Sequence, residues 1–482
     1  MKDFIKMKTP KKILLAISIA LPLGSILLNG CLGMNESSKA DEKAKTENAQ
    51  KLFIAHEGVL AAWNIATLEQ VPGEIQNVKG PTDMQALDDG TLLVNLSDNN
   101  EVLIFDGKTM LEKKRISSSS LGGKNPVHSY ISPKHNDKQY WLALNDGDGT
   151  KISNSALLID VNPNSKTYLQ ASGEVALGIG HHKASFSNTK ERVVISNIGD
   201  CDDVLSVYDY SNPASIVKLA TFSSAQAGWN DSTKICDQTY HKGVPPAPHG
   251  CATSKVNGKA YCNLSGSGEI VSVNIDITPP TFTLISTQGS GGGYSKPHPD
   301  GKYIYSLQGE PREASPYNPG KACQVGQLVV IDATNDSVVK ELPLLYKGPS
   351  CTDSISKGDE ATTEPAHLLI SQDKQKLFIQ TAGGWKVDAA RVRQQMVVDI
   401  SNPGDPKQLP SIAIGASNSY HGETLSGDGK YLFEANNMDA TITQIDAATL
   451  LPVKTFPVKV KPKYMATWGQ VEGPSHQTGP IE

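Results

Sequence analysis

Residues 81–117 read PTDMQALDDGTLLVNLSDNNEVLIFDGKTMLEKKRIS. Four short stretches rich in β-branched and apolar residues (DMQAL, TLLVNLS, VLIFD, LEKKRI) are parted by Asp, Asn and Gly turn residues. That composition and spacing predict four antiparallel strands in sequence. The same cadence recurs along the chain. Third-strand segments ending in Asp or Asn are VLAAWN (59–64), VLIFD (102–106), ALLID (156–160), LSVYD (205–209), IVSVNID (270–276), LVVID (328–332), MVVD (396–399) and ITQID (442–446). No long 3.6-residue periodicity follows the first thirty residues. Repeated four-stranded units of this kind predict an all-β chain folded as a single β-propeller. The count gives eight four-stranded blades, or seven if one short unit is a loop elaboration. The first unit lacks its innermost strand, and PKYMATW (462–468) near the other end supplies it. Pairing of N- and C-terminal strands would close the ring and remove two exposed edges.

Stacked repeats bring one position of the repeat to one place in space. Five units open their first strand with histidine: His128, His182 (with His181 beside it), His249, His367 and His421. Asp83 stands at the corresponding place in the unit quoted above, Gly293 in the GGGYSKPHPDGK unit and Tyr464 in the last segment. His298 lies five residues beyond Gly293, in a turn, and is excluded. The longest connections (145–155, 224–247, 309–326, 345–365 and 381–394) fall at the same end of the strands as these histidines. Loops and imidazoles therefore share one face near the axis, which is the face expected to work. Imidazoles hydrogen-bonding strand ends and waters would explain any one of them. A cluster from several blades points instead to a transition metal. The expected ligand set is His128, His181, His182, His249, His367 and His421, with Asp83 as a carboxylate ligand or an orienting partner. Zinc needs three or four N or O ligands, so the set allows two sites, or one site with spare ligands for transfer.

The ends of the chain carry addressing information. Lys2, Lys6, Lys8, Lys11 and Lys12 precede an apolar run, Ile13–Leu28, and then Leu28-Asn29-Gly30-Cys31. This reads as a lipoprotein signal peptide over 1–30, with Cys31 lipidated. Leu32 follows rather than Asp, which implies the outer membrane of a Gram-negative cell, facing the periplasm. Residues 31–50 are polar and free of aromatics, a flexible tether. The propeller then spans 51–470, and 471–482 form a tail. Without the signal peptide the formal charge moves from −5 to −9. A mildly acidic surface argues against nucleic acid as a partner. The only membrane contact expected is the lipid anchor.

Six cysteines remain after Cys31: Cys201, Cys236, Cys251, Cys262, Cys323 and Cys351. An even number in an exported chain predicts disulfides, with about fifteen pairings open. Cys323 with Cys351 is favoured, because both lie in long loops flanking one strand pair. C-x-x-C-H and C-x-x-C are absent, which disfavours attached c-type haem and a thiolate zinc site. NDGDG (145–149) resembles part of a calcium loop but lacks its terminal Glu, and reads as a turn. His241 sits in the loop TYHKGVPPAPH, and Glu423, two residues after His421, is placed to serve as a base or an acceptor. GxSxG, P-loop and dinucleotide fingerprints are absent.

Several segments together resemble the AztD-like periplasmic zinc metallochaperones. They are NPVHSYIS (125–132), IGHHKASFS (179–187), the order Cys236, His249, Cys262 around APHGCATSKVNGKAYC (247–262), PAHLLIS (365–371) and SYHGET (419–424). The resemblance implies an exported propeller that captures zinc and delivers it to the periplasmic solute-binding protein of an importer. The chain departs from that family at His249, where HGC replaces HGE, and it lacks the family's His/Asp-rich loop. Histidine-lined propellers also resemble copper oxidoreductases, including nitrous oxide reductase and thiocyanate dehydrogenase, in which a histidine crown holds a copper cluster. Copper outranks zinc for imidazole sites, but no cupredoxin-like electron-entry segment is present. The expectation is a metal-binding protein rather than an enzyme. A copper-dependent oxidoreductase and a metal-free scaffold for protein interaction are the alternatives.

Overall fold

Each quoted segment becomes a strand because alternate residues bury on opposite faces of a thin sheet. In Glu101–Asp106, Leu103 and Phe105 pack toward one neighbouring sheet, and Val102 and Ile104 toward the other. Sheets apolar on both faces must be covered on both, and stacking them around an axis achieves this. The computed structural model describes residues 51–228, 247–287, 293–308, 324–345, 349, 363–383, 392–417, 422–459, 462 and 464–467. The segments expected to be signal peptide, tether and tail, together with Cys31, Cys236, Cys323, Cys351, His241 and His421, lie outside these residues.

Apart from two short 3-10 turns, Lys151–Ser153 and Pro213–Ser215, the regular structure described is all β. Eight antiparallel sheets follow one another as blades. Blade 2 runs from the inner strand Pro81–Ala86 through Thr91–Leu96 and Glu101–Asp106 to the outer Leu111–Ser117. Blades 3 to 8 open on the inner strands Pro126–Ile131, His182–Phe186, Pro248–Thr253, Ser295–Pro297, Thr363–Ile370 and Glu423–Leu425. Blade 7 has a fifth strand, Ile412–Ser417, paired to Val392–Asp399 beside the short Lys407–Gln408. Blade 1 is built from both ends of the fold. Lys51–His56, Gly58–Asn64 and Gln70–Val78 supply three strands, and Tyr464–Thr467 pairs with Lys51–His56 as the innermost. The expected closure is thus observed, and the blade number is eight.

The core is divided among the blade interfaces. Eight apolar clusters are present, each shared by two neighbouring blades. The one between blades 8 and 1 contains Leu52, Ile54, Phe433, Ile442 and Met465. Every buried Leu, Ile or Phe contributes about 1.5–3 kcal/mol, so stability is spread around the ring.

Candidate metal centre

The inner hairpins define the common position. In blades 2 to 8 a turn residue donates its N–H to the carbonyl at, or in blade 5 just before, the start of the second strand: Leu87 to Thr91, Ser132 to Tyr140, Ser187 to Arg192, Ser254 to Lys259, His298 to Tyr303, Ser371 to Lys376 and Ser426 to Tyr431. Serine recurs because its hydroxyl accepts the return N–H, as Ser132, Ser371 and Ser426 do at 2.9 Å. Four residues before the turn stand Asp83, His128, Lys183, Gly250, Tyr294, His367 and Gly422 in blades 2 to 8. At three of them the strand register shifts just ahead: Pro81/Asp83, Pro126/His128 and Pro365/His367. A bulge of this kind re-aims the next side chain, and proline fits there because its missing N–H is not needed. The sequence pattern Pro-x-Asp or Pro-x-His is the local cause of the ring.

Counting from the turn changes four assignments made from strand starts, since Gly250 and Gly422 stand one residue beyond His249 and His421. Tyr294, not Gly293, holds the blade 6 position, and Lys183, not His182, holds that of blade 4. His182 turns away from the axis. Its Nδ1 lies 3.0 Å from the Ser196 carbonyl and its Nε2 3.2 Å from Asn154 Oδ1, with the side chain wholly buried. Burial lowers its pKa, against the pull of Asp146. It is a hydrogen-bonded interior imidazole, one residue out of phase with the ring.

The other described histidines of the expected set do converge. His128 Nε2 and His181 Nε2 are 2.9 Å apart, with ring centroids at 4.5 Å. The His249 ring lies almost parallel to that of His181, 5.4 Å away. Tyr294 stands 5.3 Å from His249 and 4.0 Å from His367, centroid to centroid. His181 Nδ1 approaches Asp146 Oδ2 at 2.5 Å, and the other oxygen of Asp146 accepts the His182 N–H at 3.1 Å. Asp146 is fully buried while the His181 side chain retains 16 % exposure, so the cluster opens to solvent at His181. Asp146 belongs to the NDGDG run. Its second aspartate, Asp148, is held by Lys124 at 2.8 Å and by the hydroxyls of Thr150 and Ser153, so the run is a tied turn as expected. Asp83 is buried in the ring and its Oδ2 accepts both the N–H and the hydroxyl of Ser129, at 2.8 and 2.6 Å. It anchors the strand that carries His128.

Proton positions follow from these partners. The Asp146 carboxylate takes the N–H of His181 Nδ1, leaving a lone pair on Nε2. His128 Nε2 is also in contact with the Lys183 amine, whose N–H groups need an acceptor. Two imidazole lone pairs then face each other across 2.9 Å, an arrangement that calls for a proton or a metal ion beside them. Two nitrogens bound to one tetrahedral zinc stand about 3.3 Å apart, given bonds of about 2.0–2.1 Å. The pair lies a few tenths of an ångström inside that spacing. Among the described residues no three His, Cys, Asp or Glu groups are gathered as an ion site. Of the expected set, His128 and His181 form the pair, His249 is adjacent, His367 lies beyond Tyr294, and His421 is outside the described residues.

Lys183 and Tyr294 were not legible as site residues. Lys183 is fully buried, touches His128 Nε2 and Tyr294 Oη, and sits 4.2 Å from the Tyr294 ring centroid. Burial drives its pKa well below that of a free lysine, and the carboxylates of Asp146 and Asp83 only partly oppose this. Gly250 makes room for the arrangement. Its φ is +89°, and a Cβ there would stand 2.9 Å from Tyr294 Cα and 3.0 Å from the Gly293 carbonyl oxygen. Gly250→Ala is expected to cost about 1–3 kcal/mol, read as a lower urea midpoint, and to shift the Tyr294 fluorescence.

Two neighbouring features are structural. Cys251 and Cys262 are opposite each other on adjacent strands and form a disulfide within the apolar cluster between blades 4 and 5. Cys201 is disulfide-bonded too, and the favoured Cys323–Cys351 pair lies outside the described residues. Glu423 is buried and serves as an acceptor. Its Oε2 accepts from Gln395 at 3.3 Å, and it lies beside Glu434, itself buried and bonded to Gln380 at 3.4 Å. Burial, and then the charge of Glu423, push the Glu434 pKa well above the usual carboxylate range. The folded state therefore holds a proton that the unfolded chain releases above about pH 4.3. This stabilisation is complete below that pH and is lost as pH rises through the raised pKa. Glu434→Gln is expected to melt higher than wild type at pH 7 and to converge with it near pH 4 in thermal scans.

No protein-family model matches the chain, and no curated protein matches it in sequence. Among solved structures it is similar to the dihydro-haem d1 dehydrogenase NirN in complex with DHE, with a TM-score of 0.55 at 13% identity, covering 88% of this chain and 76% of NirN. It is also similar to apo AztD from Citrobacter koseri, with a TM-score of 0.51 at 13% identity, covering 86% of this chain and 96% of AztD. A second Citrobacter koseri AztD structure gives 0.50 at 12% identity, with the same coverage. At these identities the likeness is one of fold: an AztD-like propeller.

Proposed function

We propose that this protein is an exported metal-binding propeller that takes up zinc at the axial imidazoles and hands it to a periplasmic solute-binding protein, while a lipid on Cys31 holds it at the outer membrane. The observation carrying this is the His128–His181 pair, 2.9 Å apart, with Asp146 at 2.5 Å behind His181. A carboxylate behind an imidazole fixes its tautomer and raises its basicity, the usual setting of a metal-ligating histidine. His128 and His181 would hold the ion, and His249 is the next imidazole in line. A pair reached from solvent only through His181, with a neighbouring spare imidazole, suits capture and release better than a closed structural site. The AztD-like fold supports the reading, as does the sequence resemblance to zinc metallochaperones.

Metal analysis of natively purified protein tests it. About one equivalent of zinc in a colourless protein is expected. A coloured protein with two or more coppers would favour the copper oxidoreductase, and absence of bound metal after native purification and reloading would favour the scaffold. Zinc affinity is expected to fall as pH drops below about 6.5, where free imidazoles protonate. A flat competition titration from pH 8 to 5.5 would contradict imidazole ligation. Incorporation of labelled palmitate by wild type, and not by Cys31→Ala, is the expected result for the anchor.

A further inference from the structure

The Lys183 side chain enters the cluster from the blade 4 ring position, between His128 of blade 3 and Tyr294 of blade 6. Its amine rests against His128 Nε2, the atom that would ligate an ion together with His181 Nε2. Tyr294 Oη holds the same amine from the other side, and the tyrosine ring stands 4.2 Å away at its centroid. An imidazole nitrogen has one lone pair, so it serves the amine or a metal, not both. Lysine suits such a temporary occupant. Its four-carbon stem is flexible and its head is a compact donor, unlike the rigid guanidinium fork.

We infer that Lys183 is an internal plug of the imidazole site: its amine occupies the ligand position on His128, and loading requires this side chain to withdraw. The inference rests on the metal-binding reading above. The plug gives the His128 lone pair a donor before loading. It also sets a threshold, since only an ion that binds imidazole strongly displaces the amine. Zinc or copper passes that threshold, and magnesium or calcium, which prefer oxygen ligands, does not.

The test is competition titration of Zn2+ alone, against a chromophoric chelator, into the chelator-stripped full chain. Lys183→Met keeps the stem length and removes the amine, and is expected to bind at least tenfold tighter than wild type. Lys183→Arg keeps a permanent cation and is expected to bind at least tenfold weaker. Wild type that binds zinc while K183M binds equally or more weakly overturns the plug and leaves the metal reading standing. No binding by either protein overturns both. Should thermal melting show K183M unfolded, K183R decides: affinity equal to wild type or higher overturns the plug.

Discussion

Deleting residues 459–482 is expected to abolish the cooperative thermal transition of the native propeller. The segment contains Tyr464–Thr467, the innermost strand of blade 1, paired to Lys51–His56. Two of its side chains serve two different blade interfaces. Ala466 belongs to the cluster between blades 1 and 2, and Met465 to that between blades 8 and 1. The Thr467 hydroxyl also donates to the Leu425 carbonyl of blade 8. Losing a buried Met side chain alone costs about 2–5 kcal/mol. Here the strand's backbone pairing goes too, which leaves Lys51–His56 as an open edge beside the axis. The summed loss is comparable to the about 5–15 kcal/mol that holds a typical domain together. Circular dichroism melting and light scattering should show a broad, low-temperature transition with aggregation. A truncation that removes only 471–482 keeps the strand and serves as the control. A sharp transition at the wild-type temperature after deletion of 459–482 would mean that the ring does not depend on this closure.

Replacing both His128 and His181 by alanine is expected to remove zinc binding altogether, with little change in fold. The two rings come from different blades and meet at 2.9 Å, so each supplies a ligand the other cannot replace. His249 remains, but a single imidazole holds zinc too weakly to survive purification. Asp146→Asn is the graded version. It keeps the shape of the side chain but removes the charge that faces His181 Nδ1 at 2.5 Å. Loss of such a partner typically weakens a metal site about 10–100-fold. The order expected in chelator competition is wild type, then Asp146→Asn, then the double variant with no measurable affinity. Unchanged stoichiometry in the double variant would place the ion elsewhere.

The architecture was readable because a propeller writes itself into sequence at every blade. VLIFD, ALLID and LVVID are the same strand seen three times, and PKYMATW stands out as a strand without its own unit. The ring was readable only to within one residue. Counting from strand starts put His182, His249, Gly293 and His421 one residue ahead of the turn-defined position, because the strand openings differ: those of blades 2, 3, 5 and 7 carry a register shift and those of blades 4 and 6 do not. Counting back from the Ser-containing turn, where the hairpin hydrogen bonds fix the register, selects Lys183 and Tyr294. Asp146 was hidden differently. It lies at the end of a second strand and meets His181 of the next blade, 35 residues away. Nothing in the repeat announces such a pairing across blades. The Cys251–Cys262 pairing likewise needed strand register, which placed two cysteines directly opposite each other.

The claim that blades from distant parts of the chain bring imidazoles to one ion is tested most directly by X-ray absorption at the zinc edge of the loaded protein. The expected spectrum has a first shell of N and O scatterers at about 2.0–2.1 Å and the outer-shell pattern of at least two imidazoles, lost in the His128→Ala, His181→Ala double variant. A zinc shell made only of oxygen or sulfur, or one identical in the double variant, would contradict the account.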